Sequence, residues 1–246
     1  EAEIRERPLR PVQDRTPLAR LLVTPGTFVT SVELTPPKSA RLDGLIDGVR
    51  RLAAAGVHAV NIPEYARISP RPTPLAIARA VRDAVPGIET IIHYCCRDRN
   101  LYGMQPDLLS AHALDVKDVL IITGDPPKAG EYAVPTAVFD VDSIGLTRVA
   151  AGLGRGIDAA GRETGVPLSL HTGVGVNPGA VDIEREIGLR ISQKCVRACP
   201  LPGRAEGESD CSCPGFLAAV LNPGGEFQLV PLAQESRRIR LNHQLL

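Results

Sequence analysis

Hydrophobic and polar positions along the chain switch repeatedly between a strand period and a helix period. TFVTSVEL is a short β-branched run and predicts a first strand ending on Glu33. After it, Leu45, Ile46, Val49, Leu52 and Ala53 recur at helical spacing, with Asp43 placed to cap that helix and Gly56 to stop it. The phrase then repeats. VHAVNI predicts a second strand, and TPLAIARAVRDAV a helix capped by Thr73 with Pro74 in its first position. IETIIHY predicts a third strand, followed by QPDLLSAHAL as a helix with Pro106 near its start. VKDVLIIT is the fourth strand, with residues 142–160 as its helix, and VPLSLHTGV is the fifth, with AVDIEREIGLRISQ as its helix. Continuously apolar strands are buried on both faces, and strand and helix recurring every ~30 residues make the strands parallel. A closed (β/α)8 barrel and an open doubly wound sheet both satisfy this pattern.

Past Lys194 the periodicity fails. CVRACPLPGRAEGESDCSCPGF carries four cysteines, three prolines and neither period, and residues 194–226 are expected to be irregular. The closing EFQLVPLAQESRRIRLNHQLL predicts a short strand around residues 227–230 and one helix. A barrel is therefore expected to be incomplete or degraded after its fifth βα unit, with exposed strand edges.

Composition narrows the function classes. A chain of 246 residues matches the usual size of an α/β barrel, and 43% apolar with 23% charged residues is ordinary for a globular protein. Acidic and basic residues balance at 28 each, so no global field attracts nucleic acid or anionic lipid. No run approaches the ~18 apolar residues needed to cross a bilayer, and the charged start EAEIRERPLR lacks the apolar core of a signal peptide. A cytoplasmic protein is expected, with neither a nucleic-acid nor a membrane partner. The absence of an initial Met points to a longer parent chain.

Cys95, Cys96, Cys195, Cys199, Cys211 and Cys213 are clustered in a chain large enough to need no disulfides, and reduced thiols are expected. The last four have irregular zinc-knuckle spacing, and free thiols are the better reading; no metal site is expected. Cys95 and Cys96 read as packing residues. GVGVNPG has the wrong glycine phase for a dinucleotide fingerprint, and His58, His112 and His171 have no evident partner in the sequence.

The candidate chemistry lies at the strand ends. The first strand closes on Glu33, the second on Asn61, the third on His93, and the fourth runs through Thr123 into Gly124 and Asp125. Taken singly, a strand-end Glu is more often solvated than catalytic, and a lone His is more often structural. In phase they converge, because the strand ends of a barrel open on one face. The prolines of TGDPPK make a rigid turn where Asp125 must be held.

SVELTPPK, AVNI, IIHYCCRDRN, VLIITGDPPK with VFDVDSIGL, and GVGVNPGAVD together resemble the methylenetetrahydrofolate reductase family, a flavin-dependent (β/α)8 barrel. The resemblance spans residues 18–194. RPVQDRTPLARLL is most similar to the reductase half of bifunctional proteins in which a homocysteine S-methyltransferase precedes the barrel. Residues 1–17 then read as an extension or interdomain linker, and 18–246 as the barrel. The resemblance implies FAD-dependent reduction of 5,10-methylenetetrahydrofolate to 5-methyltetrahydrofolate with NAD(P)H, in a homo-oligomer. It implies Glu33 as the general acid toward the folate and Asp125 beside the flavin ring, tuning its potential and folate binding. Asn61, His93 and Asn177 are implied as flavin contacts, and Lys194 as the partner of the FAD phosphates. The family's sixth strand and its TQ-x-x-FD motif have no match after Lys194, so a catalytically inactive, truncated or frame-disrupted barrel is the alternative.

Overall fold

The computed structural model describes residues 7–64, 70–126 and 136–175, and beyond them the backbone of two strands, 217–221 and 227–231. Strands β1 (Thr30–Glu33), β2 (Ala59–Ile62), β3 (Glu89–Cys95), β4 (Asp118–Ile122) and β5 (His171–Val174) run parallel and in sequence order. They alternate with helices, as in a partial (β/α)8 barrel. Helix α1 (Pro17–Val23) precedes β1, and α2 (Asp43–Ala54), α3 (Pro74–Ala84), α4 (Leu101–Ala113) and α5 (Ser143–Arg155) fill the four crossovers. A 3-10 turn, Val12–Asp14, leads into α1.

Local chemistry explains most helix boundaries. The Thr73 hydroxyl accepts from Ala76 N–H at 3.3 Å and Pro74 takes the first helical position, as the sequence predicts. Asp142 caps α5 through Gly145 N–H at 2.7 Å, and the helix ends at Gly156, which adopts φ +87°. Three expectations shift. The helix expected over residues 142–160 ends at Arg155, where Gly156 turns left-handed. Asp43 lies inside the first turn of α2 and makes no capping bond. Helix α4 starts five residues before Pro106, at Leu101, because the Asn100 side chain accepts from Gly103 N–H at 2.9 Å. Pro106 is thus inside the helix, where its missing N–H forgoes one i→i−4 bond.

The sheet has two unlike faces. Val60, Ile62, Ile92, Tyr94, Val119 and Ile121 face the helices and form the larger core with Val49, Ile77, Val81, Leu108 and Leu146. The opposite face carries a smaller cluster, in which Leu18, Leu21 and Leu22 of α1 meet Val29, Ala59, Ile91 and Leu120. Helix α1 is held there by Thr16, whose Oγ1 accepts from Ala19 N–H at 3.0 Å and donates to Asp118 Oδ1 at 2.8 Å. His171 Nδ1 lies 2.7 Å from the same carboxylate oxygen. Residues ahead of α1 also pack, Arg7 donating to the Arg155 carbonyl at 3.2 Å.

The order of the seven-stranded sheet is β5-β4-β3-β2-β1-β6-β7. Strand β6 (Leu217–Leu221) pairs parallel with β1, and β7 (Phe227–Pro231) pairs antiparallel with β6. The strand expected around residues 227–230 is therefore present, and a further one forms inside the stretch expected to be irregular. It covers the β1 edge that a shortened barrel was expected to expose. Strand β5 has no second partner among the described residues.

Candidate functional site

Side chains alternate across a strand, so residues two apart share a face. Ser31 and Glu33 therefore accompany Val29, Asn61 accompanies Ala59, and His93 accompanies Ile91, all on the face that α1 covers at one end. Parallel pairing sets Ser31 opposite Ala59 and Glu33 opposite Asn61, while Asn61 pairs with Ile91, two residues before His93. A polar row results at the C-terminal end of three strands. The Asn61 amide donates to Ser31 Oγ, and its Oδ1 lies 3.3 Å from His93 Nε2. With Oδ1 as acceptor, Nε2 carries a proton, and a neutral ring requires that Nδ1 carry none. Burial enforces this, holding the His93 pKa down to about 4. The same desolvation raises the Glu33 carboxyl above its ordinary value. Both groups are therefore biased toward their uncharged forms.

Asp125 is reached by a different device. It lies three residues past the end of β4, exposed, and its main-chain carbonyl accepts from Arg97 Nη1 at 3.2 Å. Gly124 ahead of it has φ +91°, and a Cβ there would collide with Cys95 Sγ. Glycine is thus required twice over, for backbone conformation and for close approach.

A family model described as methylenetetrahydrofolate reductase matches residues 19–149, a span that includes Glu33, Asn61, His93 and Asp125. The chain belongs to the methylenetetrahydrofolate reductase family. A curated protein of Oryza sativa subsp. japonica described as "Probable methylenetetrahydrofolate reductase (NADH)" is 28% identical over 159 residues, which cover 63% of this chain and 27% of the rice protein. The chain thus spans little more than a quarter of that relative's length. A solved structure, "Crystal Structure of a putative dihydrodipicolinate synthetase from Pseudomonas aeruginosa", superposes with a TM-score of 0.41 at 16% identity, covering 69% of this chain and 53% of that one.

Of the site residues expected in this methylenetetrahydrofolate reductase family member, Glu33, Asn61 and His93 are brought together on one face. Asp125 stands on the loop after β4, apart from the hydrogen bonds that join Asn61 to Ser31 and His93, and Asn177 and Lys194 lie outside the described residues. Cys95 and Cys96 are free and fully buried, with burial pushing the Cys96 thiol up to about 12, so both behave as packing residues. The four later cysteines lie outside the described residues. Among the described residues, no group of His, Cys, Asp and Glu has a metal-binding arrangement. No helix among them is long and apolar enough to cross a membrane.

Several participants were not evident from strand-end reading. Ser31 belongs to the polar row, and its spacing of two from Glu33 was the available signal. The histidines with no evident partner in the sequence have one in the fold: His58 Nδ1 lies 2.9 Å from Thr30 Oγ1, His112 Nε2 is 3.3 Å from Ser169 Oγ, and His171 meets Asp118. Glu64 accepts from Cys95 N–H at 2.9 Å and from Arg99 Nη1 at 2.7 Å, tying the end of β2 to the end of β3. Arg99 also reaches Asp107 at 2.9 Å, and Tyr94 donates to Asp107 at 2.7 Å. Glu64, Tyr94, Arg99 and Asp107 line a pocket of about 80 Å³ together with Thr73, Ile92 and His93. It lies on the helix side of β3, behind the polar row, and is far below the ~300 Å³ of a small-molecule site.

Proposed function

We propose that this chain carries the FAD-dependent reduction of 5,10-methylenetetrahydrofolate to 5-methyltetrahydrofolate with a nicotinamide donor. The single observation behind this reading is the row Ser31, Glu33, Asn61 and His93 on one face at the strand ends of a chain of this family. The residues fit a flavin. Asn61 and neutral His93 offer hydrogen-bonding groups without net charge, and Gly124 keeps the neighbouring backbone turn free of a side chain. FAD, when bound, supplies the hydride carrier that no protein side chain provides.

The chain's own side chains do the rest. Asn61 and His93 orient the cofactor, and Ser31 fixes the Asn61 amide so that Oδ1 faces His93. Glu33, its pKa raised by burial, keeps a proton to higher pH than a solvated carboxyl and delivers it to the folate amine as the methylene bridge opens. Asp125 places negative charge beside the reacting centre. Asn177 and Lys194 belong to the same proposal as more distant contacts, as do a homo-oligomeric state and a cytoplasmic location.

The experiment is reconstitution with FAD followed by separate measurement of the two half-reactions. Glu33→Gln is expected to leave nicotinamide-driven flavin bleaching within about twofold and to slow folate-driven reoxidation by ~100-fold or more, within the usual range for loss of a general acid. Equal losses in both half-reactions would refute the role. A second reading, a silent barrel of the same family, draws on the family match ending at residue 149, ahead of Asn177 and Lys194. It predicts a colourless protein after reconstitution.

A further inference from the structure

We propose that Arg97 is a positioning residue for Asp125, clasping both ends of the Gly124–Val138 connection against the end of β3. The proposal rests on the flavoenzyme reading only for the importance of Asp125. The clasp itself stands on contacts. Arg97 Nη1 donates to the Asp125 carbonyl at 3.2 Å, and the Arg97 carbonyl accepts from Val138 N–H at 2.9 Å. One residue thus holds the outgoing and the returning backbone.

Its guanidinium is placed to act as a fixed strut. Arg97 is only 4% exposed, and Asp98 neutralises it through two bonds, Nε to Oδ1 at 2.7 Å and Nη2 to Oδ2 at 2.6 Å. A planar fork held on two arms fixes the plane in which Nη1 lies, and in that plane Nη1 donates to the Asp125 carbonyl. Lysine, a single rotatable ammonium, cannot hold the Asp98 pair and reach Asp125 together. A buried charge also resists leaving its partners, because the alternative is an unpaired cation in a poorly solvated place.

Backbone conformation supports the same reading. Gly124 sits at φ +91° against Cys95 Sγ, and Cys95 donates to the Thr123 carbonyl at 3.5 Å. At the returning end Phe139, a residue with a Cβ, is held at φ +48°. Such a conformation persists only where surrounding contacts over-determine it. The Val138 bond and the Asp140 carboxylate, which accepts from Leu101 N–H at 2.9 Å, supply those contacts on either side.

The test uses the full chain with Arg97→Lys and Asp98→Asn, read by hydrogen exchange. In Arg97→Lys, amides in residues 122–126 and 136–140 are expected to exchange about tenfold faster or more, the scale of one charge-assisted hydrogen bond. Amides of β2 and β3 should be unmoved. Asp98→Asn keeps the guanidinium, and its half-exposed side chain makes folding failure less of a concern. It should loosen the same two segments to a smaller degree, and it decides the matter if Arg97→Lys does not fold. In the FAD-loaded chain, Arg97→Lys should raise the KM for methylenetetrahydrofolate at least threefold while nicotinamide-driven flavin reduction stays within twofold. Unchanged exchange, a response at one end only, or an even rise through β2 to β4 would each overturn the clasp. A chain that binds no flavin overturns the enzymatic reading alone, since the exchange arm needs no cofactor.

Discussion

At the scale of single residues, burial acts on Glu33 and His93 in the same sense, disfavouring charge in both. For His93 the folded pKa is about 4 against an ordinary 6.5, so between those values the unfolded chain binds more protons. Stability is therefore expected to rise with pH across that window and to be lost progressively as pH falls through it. The contribution is roughly 1–3 kcal/mol for a group that retains some exposure. Urea titrations at pH 4, 5 and 7 should show this slope, and His93→Gln should flatten it. Glu33 has the opposite slope, because its folded pKa is raised: ionisation above its ordinary 4.5 costs the native state. Glu33→Gln is expected to be at least as stable as the parent at pH 7, so its loss of folate reduction would not be a folding defect. Gly124→Ala combines a left-handed backbone with a collision at Cys95 and should cost about 2–4 kcal/mol by chemical denaturation. The strand-end positions of Glu33, Asn61 and His93 were legible because alternation and the breaks after each strand are local properties. The bonds joining Asn61 to Ser31 and His93 were not, since each connects residues about 30 positions apart.

Among the elements, helix α1 shows how a short segment acquires a tertiary role. Seven residues cannot hold a helix in water alone, and here the apolar side of α1 lies on the inner sheet face while Thr16 joins its cap to β4. Thr16→Ala removes the cap and one of the two hydrogen-bond partners of buried Asp118 among the described residues. A loss of ~1–3 kcal/mol is expected in urea unfolding, with Thr16→Ser restoring most of it. The helices of the repeats were readable from their 3.6-residue period and from caps such as Thr73. In α4, Pro106 invites a start beside it, whereas the Asn100 cap and the packing of Met104 and Leu108 pull the start back to Leu101. The same principle applies to β6. Its LAAVL has the length and the Pro/Gly flanks of a strand, but two of its five residues are Ala and it lacks period-2 alternation, so pairing with β1 is what makes it one.

For the whole molecule, the ordering of β1 to β5 arises because each crossover carries the chain to the adjacent parallel strand in the same direction along the sheet. Strand β1 then becomes a two-sided strand only because β6 joins it. A chain shortened to residues 1–175 would uncover that edge, and it is expected to associate by light scattering, with rising concentration, into particles larger than those the full chain forms under the same conditions. Equal association of the two chains would show that β6 does not protect the edge.

The sequence by itself determined the βα repeat, the parallel sense of its strands, the family, and the polar residues that stand at three strand ends. These depend on periodicity, on caps and on motifs whose members are close in the chain. Tertiary structure alone decided that His93 is neutral, that Glu33 is partly desolvated, that Arg97 faces Asp125, and that a late strand lies beside the first. Those properties arise from burial and from contacts between distant segments, where the local pattern is silent because the partner is supplied by the fold.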